Sequence, residues 1–162
     1  MVYIDEAGFN SYYYRPYARA LRGQKVLGKI NGRKFARTSL VAAQLNSKII
    51  APLEYQGTMN GDLFETWFEY HLIPEIPKDS VTILDNAAFH RKKKLYAIAA
   101  KYNISIIFLP PYSPELNDIE HFWHWLKQAM ADTLLVCTKL SDALALALSK
   151  WSQRFITDFQ VD

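Results

Sequence analysis

The sequence predicts an α/β fold, a mixed five-stranded sheet with helices on its faces. Two observations lead there. Short apolar runs of strand length alternate with longer stretches whose apolar residues recur at helical spacing, in the order β-β-β-α-β-α-β-α-α. Half of the 162 residues are hydrophobic, enough for one domain, residues 1–162, with a sizeable core.

Val2-Tyr3-Ile4 reads as a short strand, closed by Asp5-Glu6 and a turn at Ala7-Gly8. Residues 10–32 are aromatic, basic and glycine-containing, the composition of a long hairpin or loop. Phe35–Leu45 and Lys48–Leu53 are two strands joined tightly at Asn46-Ser47. Thr58–Asp62 opens a helix whose stripe is Leu63, Phe64, Trp67, Phe68 and Leu72, closed by Pro74 and Pro77. Val81–Leu84 is apolar throughout, as a strand buried on both faces would be.

A helix is expected from Arg91 to Tyr102, then a second apolar strand from Ile104 to Leu109. Pro110, Pro111 and Pro114 make a stiff, non-helical link. Helices over Asn117–Ala131 and Ser141–Phe155 complete the chain, with Ser141 as a cap.

Composition narrows the chemistry. One cysteine, Cys137, excludes an internal disulfide and a cysteine-based zinc site. No apolar run approaches the ~18 residues of a membrane span, and Met1 leads into strand-like sequence rather than a secretory signal, so a soluble intracellular protein is expected. Eight of the 19 basic residues (Arg15, Arg19, Arg22, Lys25, Lys29, Arg33, Lys34, Arg37) lie in one acid-free segment. The remaining 11 stand against 16 acidic residues. A second run, Arg91-Lys92-Lys93-Lys94, follows the central strand. Charge runs usually mark solvated loops. Basic residues interleaved with Tyr12, Tyr13, Tyr14 and Tyr17 on an otherwise acidic chain favour a phosphate backbone as partner.

Three acids fall at comparable places: Asp5 ending the first strand, Asp85 ending the central one, and Glu120 in the first turn of a helix. Carboxylates that converge repel one another unless divalent cations sit between them, and hard oxygen ligands select Mg²⁺ or Mn²⁺. Each acid also has a plainer reading. Asp85-Asn86 can simply start a turn. Asn117 as N-cap would put Glu120 at the third helical position, a capping box. Beside Asp5, Glu6 is an equal candidate. His71, His121 and His124 are read as surface or packing residues, and no Ser-His-Asp arrangement stands out.

Leu84-Asp85-Asn86 with His90, then Leu109-Pro110-Pro111-Tyr112-Ser113-Pro114-Glu115-Leu116-Asn117-Asp118-Ile119-Glu120 and Phe122-Trp123, resembles the mariner-type DDE transposase superfamily, most nearly its bacterial insertion-sequence branch. Ile4-Asp5-Glu6-Ala7-Gly8-Phe9 resembles its opening acid motif, and the 34 residues between Asp85 and Glu120 match its spacing. The resemblance implies a ribonuclease-H-like fold and a transposase that cuts transposon ends and joins them to target DNA. It makes Asp5, Asp85 and Glu120 the catalytic ligands of Mg²⁺ or Mn²⁺, as two ions, with Asn86 and His90 in support. Arg15, Arg19, Arg22, Lys25, Lys29, Arg33, Lys34, Arg37, Arg91, Lys92 and Lys93 are the expected DNA contacts.

Asp118 departs from the proline common in the family at that position. The chain opens four residues before its first acid, so no helix-turn-helix region is expected ahead of it. Such a region would come as a separate subunit from an upstream reading frame. The other implied partners are DNA and a second copy in a homodimer, and the implied location is the cytoplasm, at the bacterial nucleoid. Two other readings stay open: a ribonuclease-H-like nuclease such as a resolvase, and a non-catalytic DNA-binding remnant of a mobile element.

Overall fold

A computed structural model describes residues 1–11 and 37–157 of the protein, with side chains to residue 151. Five strands form one sheet: β1 (Val2–Asn10), β2 (Arg37–Leu45), β3 (Lys48–Tyr55), β4 (Val81–Leu84) and β5 (Ser105–Phe108). Their spatial order is β3-β2-β1-β4-β5. The first three strands are antiparallel, whereas β4 runs parallel to both β1 and β5. The helices are α1 (Gly61–Trp67), α2 (Lys92–Lys101), α3 (Ile119–Thr133) and α4 (Leu140–Thr157). None of the described helices is long and apolar enough to cross a membrane.

Period-two alternation along the strands divides the interior into two cores. Val2, Ile4, Val41 and Ala43 face Phe64, Trp67, Leu72, Leu95 and Ile98 on the side of α1 and α2. Ala7, Phe9, Leu40 and Ala42 face Phe122, Trp123, Leu126, Met130 and Leu144 on the side of α3 and α4. The tight connection at Asn46-Ser47 is present, with Asn46 at φ 55° as a two-residue hairpin requires.

β3 carries a bulge, since Val41 pairs with Leu53 while Ala43 pairs with Ile50. Ala51 sits there at φ 48°. Its N–H donates to Glu75 Oε2 at 3.2 Å and its carbonyl accepts from Trp67 Nε1 at 2.8 Å. Pro52, which has no N–H to give, is accommodated at the irregularity.

Several expectations are corrected. β1 does not stop at Ile4 but pairs with β2 over nine residues, from Val2↔Leu45 to Asn10↔Arg37. The expected turn at Ala7-Gly8 is therefore strand, and Asp5 lies mid-strand. After α1 the backbone widens into a π-helical turn, Phe68–Leu72, and then tightens to a 3₁₀ turn, Ile73–Glu75, before Pro77. The proline link is partly helical, because Pro114–Leu116 forms a 3₁₀ turn with Pro114 at its first position, where a missing N–H costs nothing. α4 begins at Leu140, so Ser141 is inside the helix and does not cap it. The expected hairpin or loop over residues 10–32 lies almost wholly outside the described residues.

Candidate active site

The site is built where β4 ends alongside the middle of β1, under the first turn of α3. Along β1 successive side chains point to opposite faces. Asp5 shares a face with Ala7 and turns toward α3. Glu6 shares a face with Ile4 and turns toward β3, where Tyr55 donates its hydroxyl to Glu6 Oε2 at 3.0 Å. The two neighbouring acids are thus separated by the sheet itself.

Asp5 is mostly buried, and Trp123 Nε1 donates to its Oδ2 at 2.9 Å. Burial pushes the Asp5 carboxyl up to about 7. The negative charges of Glu120 and Asp85 push the same way, while bonds from the Glu6 N–H and from Trp123 oppose them. Glu6 also rises to about 7, again chiefly through burial, and its Oε1 is buried without a partner.

Asp85 is the first residue past β4. Its Oδ1 accepts from the Ala87 N–H and from His90 Nε2, each at 3.1 Å. The plain turn reading is therefore correct for one oxygen, and it leaves Oδ2 for the cavity. Here the carboxyl is held below its usual range, first by the His90 bond, with burial opposing. A bond to a carboxylate requires His90 to carry its proton on Nε2. The ring is clamped by Phe64 and Phe89, each with its centroid 4.3 Å away. A buried aromatic cage thus fixes the imidazole that fixes Asp85.

Glu120 is the second residue of α3, because Asp118 rather than Asn117 occupies the N-cap position. The capping-box expectation fails for a physical reason. Asn117 is buried, its Nδ2 donates to the Ile4 carbonyl at 3.3 Å, and its Oδ1, the atom a cap would use, accepts from no N–H of α3. Asp118 accepts from Gln44 Nε2 at 2.8 Å and lies outside the cavity. Three tertiary bonds therefore seat the start of α3 on β1 and β2: Asn117 to Ile4, Asp118 to Gln44, and Trp123 to Asp5. Sequence reasoning missed all three as site-building contacts. For Trp123 a signal existed, since a tryptophan three positions after Glu120 lies on the same helical face and carries an N–H.

Asp5, Asp85 and Glu120 line one cavity of about 400 Å³, together with Asn86, Asn117 and the loop from Leu109 to Pro114. Its donors are all oxygens or amides, and Asn117 Oδ1 is buried in its wall without a partner. Among the described residues no group of three or more His, Cys, Asp or Glu is already gathered to hold a metal ion. An open set of carboxylates fits Mg²⁺ nonetheless, since that ion keeps several waters and takes substrate phosphates as ligands instead of a closed protein cage. In the same loop Tyr112 is fully exposed and has φ 58°. For a bulky residue that conformation costs on the order of 1–3 kcal/mol.

The basic residues divide. Arg15, Arg19, Arg22, Lys25, Lys29, Arg33 and Lys34 lie outside the described residues. Arg37 opens β2, exposed, with its guanidinium across Gly8. A Cβ on Gly8 would stand 3.1 Å from Arg37 Nη2. Arg91 is committed internally, pairing with Asp62 and with Glu65 at 2.6 Å. Lys92 Nζ lies 4.6 Å from the centre of the Phe108 ring. Lys93 is exposed.

Comparison with known proteins agrees with this architecture. An uncharacterized protein of Sinorhizobium fredii, y4pE/y4sA, is 44% identical over 48 residues, covering 30% of this chain and 33% of that protein. In the Mos1 strand transfer complex the matching chain superposes with a TM-score of 0.66 at 16% identity, over 97% of this chain and 54% of that one. Mos1 mariner paired end complexes with Mg and with Mn match at 0.60 and 15% identity, over 99% of this chain and 56% of theirs. The catalytic core domain of BIV integrase matches at 0.51 and 17% identity, over 68% and 72%. These likenesses establish a ribonuclease-H-like fold. The chain spans about half the length of the Mos1 chains and a third of the curated relative. Residues 1–139 match the DDE superfamily endonuclease family, and with that match covering most of its length the chain belongs to this family.

Proposed function

We propose that this chain is the catalytic core of a transposase that cuts transposon ends and joins the freed 3′ ends to target DNA. The observation that carries this reading is the convergence of Asp5, Asp85 and Glu120, from β1, β4 and α3, on one cavity. Asp5 supports it further: a carboxyl held up to about 7 by burial beside two other acids is stabilised as an anion by a bound cation.

Divalent cations at these three carboxylates, two ions in this reading, would activate the attacking oxygen and stabilise the departing one in an in-line displacement. The chain's own residues position and hold. Asp85 presents Oδ2 because His90 and the Ala87 N–H hold Oδ1. Trp123 fixes one oxygen of Asp5. Glu120 is placed by the docking of α3 and is free of capping duty. Asn86 lines the mouth of the cavity. No covalent protein intermediate is needed.

The basic segment from Arg15 to Arg37, with Lys92 and Lys93, would hold the DNA backbone without reading sequence. Arg91 acts there only if DNA displaces it from Asp62 and Glu65. Terminal-sequence recognition would come from a helix-turn-helix subunit, and two copies of the chain would pair the two ends at the nucleoid. The Mos1 complexes, whose names describe paired ends, strand transfer, Mg and Mn, are the precedent for this reading. The deciding assay incubates the chain with a labelled duplex of the element's end in Mg²⁺. Nicking followed by joining is expected. Absence of both in Mg²⁺ and Mn²⁺ would overturn the proposal.

A further inference from the structure

Tyr112 is unlike every other residue of the cavity wall. It is a large aromatic side chain with full solvent exposure. It occupies the left-handed backbone region, which a bulky residue adopts only when its surroundings hold it there. The surroundings are Pro110, Pro111 and Pro114, whose fixed φ angles stiffen the loop. Tyr112 packs in neither core. The proline-stiffened loop leaves an exposed ring on the wall of the cavity lined by Asp5, Asp85 and Glu120.

We infer that Tyr112 is a stacking platform for an unpaired base of the DNA strand whose phosphate enters the cavity. The inference rests on the nuclease reading above and deepens it. A protruding neutral ring offers a phosphate no positive charge. Its π face suits a nucleobase and tolerates any of the four. In an intact duplex the base faces are covered by their neighbours, so a ring can reach one only where a nucleotide has left the stack. Tyr112 would thus select strands already distorted or freed next to the bond being cut, and hold the first unpaired nucleotide so that its phosphate cannot slide. It is a binding and positioning residue, not a proton carrier, and its hydroxyl has no part in the role.

The test uses the whole chain with Ca²⁺ in place of Mg²⁺ and a short duplex carrying one unpaired 2-aminopurine nucleotide. The fully paired duplex of equal length is the reference. Wild type should bind the unpaired probe more tightly and change its fluorescence on binding. Tyr112→Leu should weaken that binding roughly five- to hundredfold, abolish the fluorescence change and leave the paired duplex unaffected. Tyr112→Phe, which keeps the ring, should behave as wild type. Melting curves of all three proteins should coincide, because the side chain is fully exposed. Equal affinity of wild type and Tyr112→Leu for the unpaired probe would overturn the inference, as would a Phe variant as weak as Leu, which would point to the hydroxyl. Cleavage in Mg²⁺ is read in parallel. A chain that cleaves but shows no Tyr112-dependent stacking sinks the platform alone. Stacking without any cleavage or joining sinks the nuclease reading instead.

Discussion

Asp5 and Asp85 line the same cavity, yet the protein treats their charges in opposite ways. Asp5 lies mid-strand and mostly buried, with one indole N–H as its side-chain partner, and its carboxyl rises to about 7. Asp85 sits past a strand end, half exposed, bonded by a caged histidine and a backbone N–H, and its carboxyl is depressed. Both have protein partners, so partners alone do not decide. Burial outweighs them at Asp5 and loses at Asp85. Asp85 holds its charge through its protein partners, whereas at Asp5 burial favours the protonated form.

Four measurements bear on that contrast. The largest effect is on chemistry: Asp5→Asn, Asp85→Asn and Glu120→Gln should each reduce cleavage by about a thousandfold or more, several kcal/mol of lost charge stabilisation. Stability then separates the two aspartates. In metal-free protein, thermal melts should show Asp5→Asn raising Tm and Asp85→Asn lowering it. The same sign for both would break the comparison. Glu120→Gln should leave Tm near wild type, because Glu120 caps nothing.

His90→Gln comes next. Loss of an outer partner that orients a metal ligand typically costs 10–100-fold, and cleavage should fall by about that much. NMR titration of Asp85 should also find its carboxyl returned toward the ordinary range. An unshifted Asp85 would mean the histidine is only part of the core.

The third effect is on pH dependence. Asp5 and Glu6 have folded values raised to about 7 from 3.8 and 4.5, so folding favours their protonated forms. Their contribution to stability is complete below the unfolded values and is lost as pH rises to 7. Chemical denaturation of metal-free protein should therefore show stability declining from pH 4 to 7. Mg²⁺ should flatten the part of the decline due to Asp5. Asp85 works in the opposite sense, its contribution present above 3.8 and lost as pH falls through its depressed value. The smallest effect belongs to Trp123→Phe, which keeps a ring against Phe9 and Phe122 but removes the bond to Asp5. It should cost about 1 kcal/mol and lift the Asp5 carboxyl further.

Much of this was legible in the residues and some was not, for identifiable reasons. Strand count and sheet class follow from apolar runs, which are local properties, whereas the choice of Asp5, Asp85 and Glu120 rested on the family resemblance. The length of β1 was not legible, because Gly8 reads as a turn until β2 is known to pair across it with Arg37 over its bare Cα. The start of α3 was misread because Asn117 is a good cap by type, while a contact distant in sequence, its Nδ2 donating to the Ile4 carbonyl, anchors the side chain on β1 and the helix starts one residue later. Glu6 and Asp5 could not be ranked from sequence, since alternation tells that they point apart but not which way. Arg91 looked like a free cation because Asp62 and Glu65, its partners, lie on a helix far back in the chain.

The three bonds that seat α3 have a consequence for how sequences of this kind can vary in length. Glu120 is located by what Asn117, Asp118 and Trp123 grip on β1 and β2, and not by a count of residues from Asp85. The link between Leu109 and Asn117, though stiffened by its prolines, is not what fixes the helix: a residue inserted or removed there is expected to reshape the link while these three bonds keep α3 docked. The dimension under physical control is the gap between α3 and the strand beneath it.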